Sequence, residues 1–519
     1  MVGKEDENAV GSVSRRDVLK SMVVPVLGLA TNRAAGQQGA SGSNSQPGLE
    51  GLMFQSAASQ AQQIRNKQLS SEELVELYLR RIEQINPKIN AVVAIADDAM
   101  EQARLADNAL AKGKYKGQLH GVPMTIKDCF DTAGVVSTWG TLGRRNFIPD
   151  EDAAVVKRLK AAGAILIGKT NTPEFTLSFE THNKIHGFTN NPYDTKRSPG
   201  GSSGGAAAAI AAGLTSFDIG TDYGGSIRVP SHCCGTVGIK PTSGSVPRTG
   251  LCLPPGMLTD SLSHVGPLAR RVEDLKLILP IIWGPDSVDT RISAVRFPDP
   301  DLIKLKPLKC AVMFDNGIVT PDKETVAVVE MTAKTLAGAG VTVNEDRLDG
   351  VADTTNVSGG FWAVGAHASV RQLLDSVGTR PEDFANNWFK ELDEVIPDQV
   401  SAKALSSQLA RFEEYRARMQ QHMARYDVLI SPVNAHPAQL HPSPGEAPFP
   451  SSDASYTEAF DLTGWPSGVV RGGTTSDGLP IGVQITANPW REDIVLSVMS
   501  YLEQEIPAFA PPDEQMLMA

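Results

Sequence analysis

Two glycine-rich loops carry the serines of this sequence that could act as nucleophiles. Residues 198–205 contain Ser202 and run directly into an alanine-rich stretch that favours a helix. Residues 221–228 form a second glycine-containing turn after a predicted strand at 214–220, and they contain Ser226. A serine hydroxyl attacks a carbonyl carbon only when a neighbouring base takes its proton. The two loops therefore suggest one shared site for nucleophilic catalysis.

A lysine lies where it could act as that base. Residues 122–126 read as a short buried strand, and Lys127 follows at its end. Lysine accepts a proton only when it is neutral, so its pKa must fall well below the reference value of about 10.4. Burial with few counter-charges lowers the pKa in this way. Asp128 is adjacent, but on a strand its side chain would point to the other face.

The elements around these residues alternate between helix and strand. A capping box at Ser70 opens a helix whose apolar spacing continues to Pro87, and a second helix is predicted over residues 97–112. A helix over residues 153–162 then leads into a strand at 164–167. This alternation predicts an α/β protein with a sheet covered by helices. Only such a tertiary fold can bring Lys127, Ser202 and Ser226 together, because they are far apart in the chain.

Several segments resemble the amidase signature family of serine hydrolases. The resemblance covers most of the chain after about residue 55, and it implies a large mixed β-sheet with helices on both faces. The matching segments are residues 200–205 and 220–230, the lysine motif at 122–128, the continuation at 234–242, and the C-terminal segments 462–464 and 479–484.

The resemblance implies a role for each of three residues. Ser226 corresponds to the nucleophile, Ser202 to the serine that passes the proton, and Lys127 to the base. The family places a cis peptide bond after the glycine that corresponds to Gly201. The implied reaction is attack of Ser226 on an amide carbonyl, release of an amine and hydrolysis of an acyl-enzyme by water, with no cofactor.

The second turn also offers donors for an oxyanion hole. In the family, backbone N–H groups of this turn bind the oxygen, and here they belong to Tyr223, Gly224, Gly225 and Ser226. A glycine-rich turn can point successive N–H groups at one oxygen. Tyr223 stands where the family has an aliphatic residue, and we expect its ring to narrow or polarise the pocket.

Three further residues have supporting roles in this prediction. Asp222 and Arg228 flank the turn, and we expect them to brace it rather than to react. Ser203, next to the bridging serine, is expected to support the site. Arg228 also stands where the nucleophile elbow of an α/β-hydrolase needs a glycine, so that fold is disfavoured.

Other functions remain open at this stage. The same triad would permit an esterase or a carbamate hydrolase, and a catalytically silent binding protein is a more remote alternative. A glutamine-dependent amidotransferase subunit is disfavoured by the export signal described below. His182 and His186 have the spacing of a metal pair on a helix, but they lie in a predicted loop, and we expect no metal.

Composition limits the class of partner. The 519 residues are 41% hydrophobic and 21% charged, which is typical of a globular enzyme. The net charge of −11 and the absence of a Lys/Arg-rich run argue against nucleic acid. The five cysteines show neither a disulfide framework nor zinc spacing, and we interpret Cys233 and Cys234 as packed apolar residues. The expected partner is a small amide or a related molecule, and monomer and homodimer both stay open.

The N-terminus predicts export. Arg15 and Arg16 precede an apolar run at residues 22–30, so residues 1–35 are interpreted as a twin-arginine signal. The run is shorter than the roughly 20 residues of a membrane span. We expect a flexible linker at 36–52 and a catalytic domain at 53–519, of which about 290–450 shapes the substrate pocket. The expected location is periplasmic or extracellular.

Overall fold

A computed structural model describes residues 49–253, 262–380, 383, 385, 400–443, 451–506 and 509–518. The predicted export signal lies outside the described residues, as do parts of the 290–450 region. The last four residues of the predicted linker are helical, and Leu52 is buried in the core, so the linker prediction is wrong for this segment.

Helices and strands alternate through most of the chain. The helices are α1 (Leu49–Leu52), α2 (Ala57–Arg65), α3 (Ser71–Ile89), α4 (Ala99–Ala111), α5 (Ala154–Ala161), α6 (Gly204–Ala211), α7 (Arg228–Cys234), α8 (Val272–Ile282), α9 (Lys323–Gly338), α10 (Thr354–Phe361), α11 (His367–Val377), α12 (Ala402–Met423), α13 (Ser455–Thr463), α14 (Glu492–Glu505) and α15 (Glu514–Met518). The strands are β1 (Val92–Ile95), β2 (Pro123–Lys127), β3 (Ile165–Thr170), β4 (His182–Asn183), β5 (Gly187–Phe188), β6 (Phe217–Asp222), β7 (Val237–Lys240), β8 (His264–Ala269), β9 (Lys309–Val312), β10 (Thr342–Glu345), β11 (Val428–Pro432), β12 (Ser467–Thr474) and β13 (Pro480–Ala487).

A mixed eight-stranded sheet forms the centre of the structure. Its strand order is β10-β9-β11-β13-β12-β7-β8-β6. Strand β9 pairs in parallel with both β10 and β11, whereas the other pairs are antiparallel. The α/β prediction with a large mixed sheet is confirmed.

Helices cover both faces of this sheet. Gln484 of β13 faces α7, since its Oε1 accepts a hydrogen bond from Arg228 Nη1 at 2.8 Å. The next residue, Ile485, points to the opposite face and pairs with Gly468 of β12. A Cβ atom at Gly468 would collide with Met499 of α14. Helix α7 therefore covers one face and α14 the other.

A smaller sheet carries Lys127. Its strand order is β1-β3-β2, and β2 runs parallel to β3 with Lys127 opposite Thr170. Asp218 of β6 joins this sheet to the large one, because its Oδ2 accepts hydrogen bonds from Thr125 Oγ1 at 2.6 Å and Thr170 Oγ1 at 3.0 Å. Burial raises the pKa of Asp218 to about 7. This contact places the end of β2 beside β6, which leads into the second catalytic loop.

The capping box predicted at Ser70 is present, but α3 continues past Pro87. Ser70 Oγ accepts a hydrogen bond from Glu73 N, and the Glu73 carboxylate accepts one from Ser70 N. Pro87 lies in the last turn, where its missing N–H removes one hydrogen bond only. The helix ends at Ile89 because Asn90 adopts a left-handed conformation, with φ of 49°.

Two other boundaries differ from the prediction. Strand β6 begins at Phe217 rather than at 214, because Gly213 turns with a positive φ and Leu214 N still bonds to Ala209 O of α6. The sequence also predicts a helix over residues 402–426, but α12 ends at Met423, three residues earlier. Neither difference moves a predicted site residue out of its loop.

All five cysteines are buried free thiols, as the sequence indicated. Among the described residues, no helix has the length and the apolar content that crossing a membrane requires.

Candidate active site

Three hydroxyl groups surround the amine of Lys127. Lys127 Nζ lies 2.6 Å from Ser202 Oγ, 2.9 Å from Ser203 Oγ and 2.8 Å from Thr221 Oγ1. Lys127, Ser202 and Ser203 are fully buried. Ser203 Oγ also donates to Thr221 O at 3.3 Å, which leaves it an acceptor towards Lys127. The structure thus brings the predicted base and the predicted bridging serine into direct contact.

This environment lowers the pKa of Lys127 to about 8. Burial is the main cause, since it disfavours the charged ammonium. The nearby groups Cys129, Cys252, Asp222 and Asp218 oppose this effect by raising the pKa. About half of Lys127 is therefore neutral at pH 8, and about a tenth at pH 7, and the neutral form is the one that a general base needs.

The first loop holds Ser202 against a neighbouring segment. The peptide bond between Gly201 and Ser202 is cis, as the family resemblance implied. A Cβ atom at Gly201 would lie 2.6 Å from Phe179 C and 2.7 Å from Ser178 O, so only glycine fits there. Ser203 then precedes the first residue of α6.

The first loop also contacts the loop of the predicted nucleophile. Ser203 N donates to Ser226 O at 3.1 Å, which links the two loops through the backbone. Ser226 is only 5% exposed. Within the described part of the chain, its hydroxyl has no side-chain hydrogen bond, so the link to Ser202 runs through the backbone of Ser203.

Asp222 organises the second turn. Its Oδ1 accepts a hydrogen bond from Gly225 N at 2.7 Å, and its Oδ2 accepts one from Ile227 N at 3.0 Å. The carboxylate therefore closes the turn on both sides. The expected bracing role of Asp222 agrees with these contacts.

These hydrogen bonds correct the prediction for Gly225 as an oxyanion donor. Its N–H already donates to Asp222, so it does not point at a bound oxyanion. Tyr223, Gly224 and Ser226 stay the predicted donors. The role of Gly225 is conformational, since its φ is 135°.

Thr457 of α13 fixes the same glycines from the opposite side. Its Oγ1 donates to Gly224 O at 2.5 Å, and a Cβ atom at Gly225 would collide with it. Gly225 O accepts from Val229 N at 2.7 Å. The peptide between Gly224 and Gly225 is thus held at both its carbonyl and its N–H.

Arg228 lies at the centre of a buried network. Its guanidinium donates to Asp222 Oδ1 at 2.7 Å and Asp461 Oδ2 at 2.5 Å. It also donates to Thr457 O at 2.7 Å and Gln484 Oε1 at 2.8 Å. Arg228 and both carboxylates are fully buried. The turn is therefore tied to α13 and to β13 by charge-assisted hydrogen bonds.

The two carboxylates of this network differ in their electrostatics. Burial alone would raise the pKa of Asp222, but the Arg228 guanidinium holds it well below its usual range. Burial raises the pKa of Asp461, and the nearby Asp222 charge adds to this rise. His264 Nδ1 lies 3.3 Å from Asp461 Oδ1, and burial lowers the pKa of His264 so that it stays neutral.

Tyr223 brings the middle region of the chain to the site. Its ring packs edge to face against Trp362, with centroids 6.4 Å apart. Trp362 lies in the 290–450 region, where the sequence placed the substrate pocket. The aromatic pair therefore lies beside the predicted oxyanion turn, which contains Tyr223.

His182 and His186 do not lie on a helix, since His186 is in the turn that follows the strand of His182. His182 lies on the short strand β4, and its ring stacks on Phe188. Among the described residues, no group of three or more His, Cys, Asp or Glu side chains could hold a metal ion.

Sequence reasoning missed four residues that contact the site: Thr221, Thr457, Asp461 and Gln484. Thr221 was visible as the residue before Asp222 at the end of a strand, on the same turn as Ser226. Thr457, Asp461 and Gln484 contact Arg228 from more than 200 residues away. The C-terminal segments that resemble the family begin just after Asp461 and include Gln484, and this was the available signal.

The network predicts a large loss of stability when its cation is removed. We expect Arg228→Met to lower the free energy of unfolding by about 3–5 kcal/mol, because two carboxylates would be left buried without their partner. Urea denaturation measures this. Arg80→Met is the matched control, since its ion pair with Glu76 is exposed, and we expect a change below about 1 kcal/mol. Equal effects of the two substitutions would contradict the proposed bracing.

The chain matches known proteins over nearly all of its described length. A family model described as Amidase matches residues 73–496. A glutamyl-tRNA(Gln) amidotransferase subunit of Bdellovibrio bacteriovorus is 32% identical over 486 residues, which cover 87% of this chain and 97% of that protein. The indoleacetamide hydrolase of Bradyrhizobium diazoefficiens is 33% identical over 469 residues, which cover 86% of each.

A solved structure shows the same fold. The 6-aminohexanoate cyclic dimer hydrolase, solved with its substrate, aligns with a TM-score of 0.80 and 28% identity. The alignment covers 90% of this chain and 100% of that one. Together with the family match, these likenesses show that the chain belongs to the amidase signature family of hydrolases, which act on carbon–nitrogen bonds of amides.

Proposed function

We propose that this chain hydrolyses a carboxylic amide through an acyl-enzyme on Ser226. The observation that supports this most directly is the contact between Lys127 Nζ and Ser202 Oγ at 2.6 Å, in a buried site that lowers the lysine pKa to about 8. A base in this state can activate a serine without a histidine.

In the first step, neutral Lys127 takes the proton of Ser202 while Ser202 takes the proton of Ser226. Ser226 Oγ then bonds to the amide carbonyl carbon, and the carbonyl oxygen becomes an oxyanion. The N–H groups of Gly224 and Ser226 are its proposed donors, together with that of Tyr223. Preorganised donors of this kind stabilise the transition state more than the ground state.

In the second step, the tetrahedral intermediate breaks its carbon–nitrogen bond. The proton held by Lys127 passes through Ser202 to the departing amine, and an ester on Ser226 remains. Water then attacks this ester by the same proton route in reverse, which releases the carboxylic acid. Protons move only among the three side chains, the substrate and water, so the proposed reaction uses no cofactor.

The names of the relatives support an amide as substrate. Indoleacetamide hydrolase is named for the hydrolysis of an amide, whereas the 6-aminohexanoate cyclic dimer hydrolase is named for the hydrolysis of a cyclic dimer. We propose a hydrolase that acts on linear amides. An ester or carbamate hydrolase would use the same groups, so we propose to compare amide and ester turnover directly.

We also propose that the enzyme is exported. The support is the Arg15-Arg16 pair followed by an apolar run, which lies outside the described residues. An amidotransferase subunit needs a cytosolic partner and charged tRNA, whereas an exported enzyme meets neither. The amidotransferase relative therefore does not lead us to propose that activity here.

Covalent labelling tests the nucleophile and the base. We expect a fluorophosphonate to form one adduct, on Ser226, and Lys127→Ala to slow labelling by at least about 100-fold because the base is lost. Mass spectrometry with peptide mapping locates the adduct. Lys160→Ala, which removes only a lysine paired with Asp152 away from the loops, should label normally. An adduct at another residue, or equal labelling of both variants, would reject the triad.

The lowered pKa of Lys127 predicts the pH dependence. Below about pH 8 the lysine is protonated and inactive, so kcat/KM should rise about tenfold per pH unit and level off above pH 8. Asp218→Asn removes a negative charge that raises this pKa, so the rising limb should move to lower pH. Initial rates of the unmodified enzyme and of Asp218→Asn, measured from about pH 6 to about pH 10, give the two pH profiles. A limb that moves to higher pH in Asp218→Asn would contradict the assignment.

Export makes a separate prediction. Replacing Arg15 and Arg16 by lysines should retain the enzyme in the cytosol, because the twin-arginine route reads the arginine pair. Cell fractionation with immunoblotting measures the distribution. As a control, Arg33→Lys leaves the pair intact and should not change it. Equal export of both variants would reject this route.

A further inference from the structure

The hydroxyl of Thr181 joins the two sides of the loop that carries Ser202. Thr181 Oγ1 donates a hydrogen bond to Gly200 O at 2.9 Å and accepts one from Gly204 N at 3.1 Å. Gly200 comes two residues before Ser202, and Gly204 comes two residues after it. Thr181 is fully buried. A single side chain therefore bridges the segment that has the bridging serine at its centre.

This contact satisfies a helix end that the catalytic site leaves open. Ser203 is the N-cap residue of α6, a position where a serine side chain usually accepts a hydrogen bond from the first turn. Here it makes no such bond, because its Oγ contacts Lys127 Nζ and donates to Thr221 O. The N–H of Gly204, the first residue of the helix, has no partner within the helix. Thr181 accepts that hydrogen bond, while Ser203 contacts the base.

The loop and the segment 178–181 are packed closely together. A Cβ atom at Gly204 would collide with Thr181 Oγ1, and one at Gly201 would lie 2.7 Å from Ser178 O. The loop is thus in contact with this segment on both sides of Ser202. Glycine at positions 201 and 204 permits that close approach.

The segment that carries Thr181 is held by other contacts as well. Thr181 O accepts a hydrogen bond from Thr189 N at 2.9 Å, which lies outside the loop. Glu180 Oε1 accepts one from Ser198 Oγ at 3.1 Å, and Ser198 Oγ accepts one from Gly200 N at 3.0 Å. The Thr181 hydroxyl therefore belongs to a fixed segment against which the loop is held.

We propose that Thr181 is a positioning residue, whose hydroxyl holds Ser202 at the distance from Lys127 that proton transfer requires. This inference rests on the function proposed above. Thr181 bonds to the loop backbone rather than to a reacting side chain, so it acts through Ser202. Ser202 Oγ and Lys127 Nζ are 2.6 Å apart. A displacement of about 1 Å in such a contact can lower a rate about 100-fold.

The isosteric variant Thr181→Val tests this inference with a fluorophosphonate as the probe. Valine keeps the shape of the side chain but can neither donate to Gly200 O nor accept from Gly204 N. We expect the maximal rate constant for labelling Ser226 to fall about 10–100-fold. The fluorophosphonate concentration that gives half of this rate should change less than about twofold, because binding does not depend on the proton relay. Mass spectrometry over time measures both quantities for folded enzyme purified by gel filtration.

Two further variants separate positioning from packing. Thr181→Ser keeps the hydroxyl, so its maximal labelling rate should lie within about threefold of the unmodified enzyme. Thr332→Val is the matched control, because Thr332 is equally buried and its hydroxyl donates to Val328 O within α9. This control should change the labelling rate less than about twofold. Equal losses in Thr181→Val and Thr181→Ser, or in Thr181→Val and Thr332→Val, would overturn the positioning role.

The outcomes separate this inference from the proposed function. If Ser226 of the unmodified enzyme does not label, the proposed function itself fails. If Ser226 labels and Thr181→Val labels within about twofold of the unmodified enzyme, only the positioning role fails. Thr181→Ala removes the same hydroxyl without placing a methyl group against Gly200 O and Gly204 N. It is expected to show the same loss of rate, so the proposal stays falsifiable if the valine variant does not fold.

Discussion

The structure of the site depends on burying one amine among hydroxyl groups rather than carboxylates. A neutral amine has two N–H donors and one lone pair, and three hydroxyls can satisfy all of these. Ser203 Oγ donates to Thr221 O and is thereby an acceptor towards Lys127. Ser202 Oγ, at 2.6 Å, is then able to donate to the lone pair. A carboxylate in contact with Nζ would instead hold the lysine protonated.

This constraint explains why so much of the chain is needed around three side chains. Lys127 lies at the end of β2, Ser202 in the loop before α6 and Ser226 in the turn after β6. Asp218 joins the two sheets beneath these residues through hydroxyls of both β2 and β3. Burial raises the pKa of this carboxylate to about 7, and in its ionised form it raises the pKa of Lys127. Packing and electrostatics at the base are therefore set by the same contacts.

The sequence could predict the residues of the site better than their contacts. The glycine loops and the strand before Lys127 were readable because local geometry demands those residue types. The hydrogen bond from the Gly225 N–H to Asp222 could not be predicted from the sequence, since it depends on the orientation of a single peptide group. The contacts of Thr457 and Gln484 with Arg228 were also hidden, although Gln484 lies in a segment that resembles the family, because these contacts depend on tertiary packing across more than 200 residues.

The buried charges around Arg228 are best understood as a means of orientation. A turn that contains two adjacent glycines has many accessible conformations, whereas oxyanion stabilisation requires N–H groups that are fixed before the reaction. Burying an arginine with two carboxylates is costly, and such networks often add little net stability. Here Asp222 uses the same two oxygens to hold Arg228 and the backbone N–H groups of Gly225 and Ile227. The charge that satisfies the arginine therefore also selects one conformation of the turn, and α13 contributes Asp461 and Thr457 to hold it.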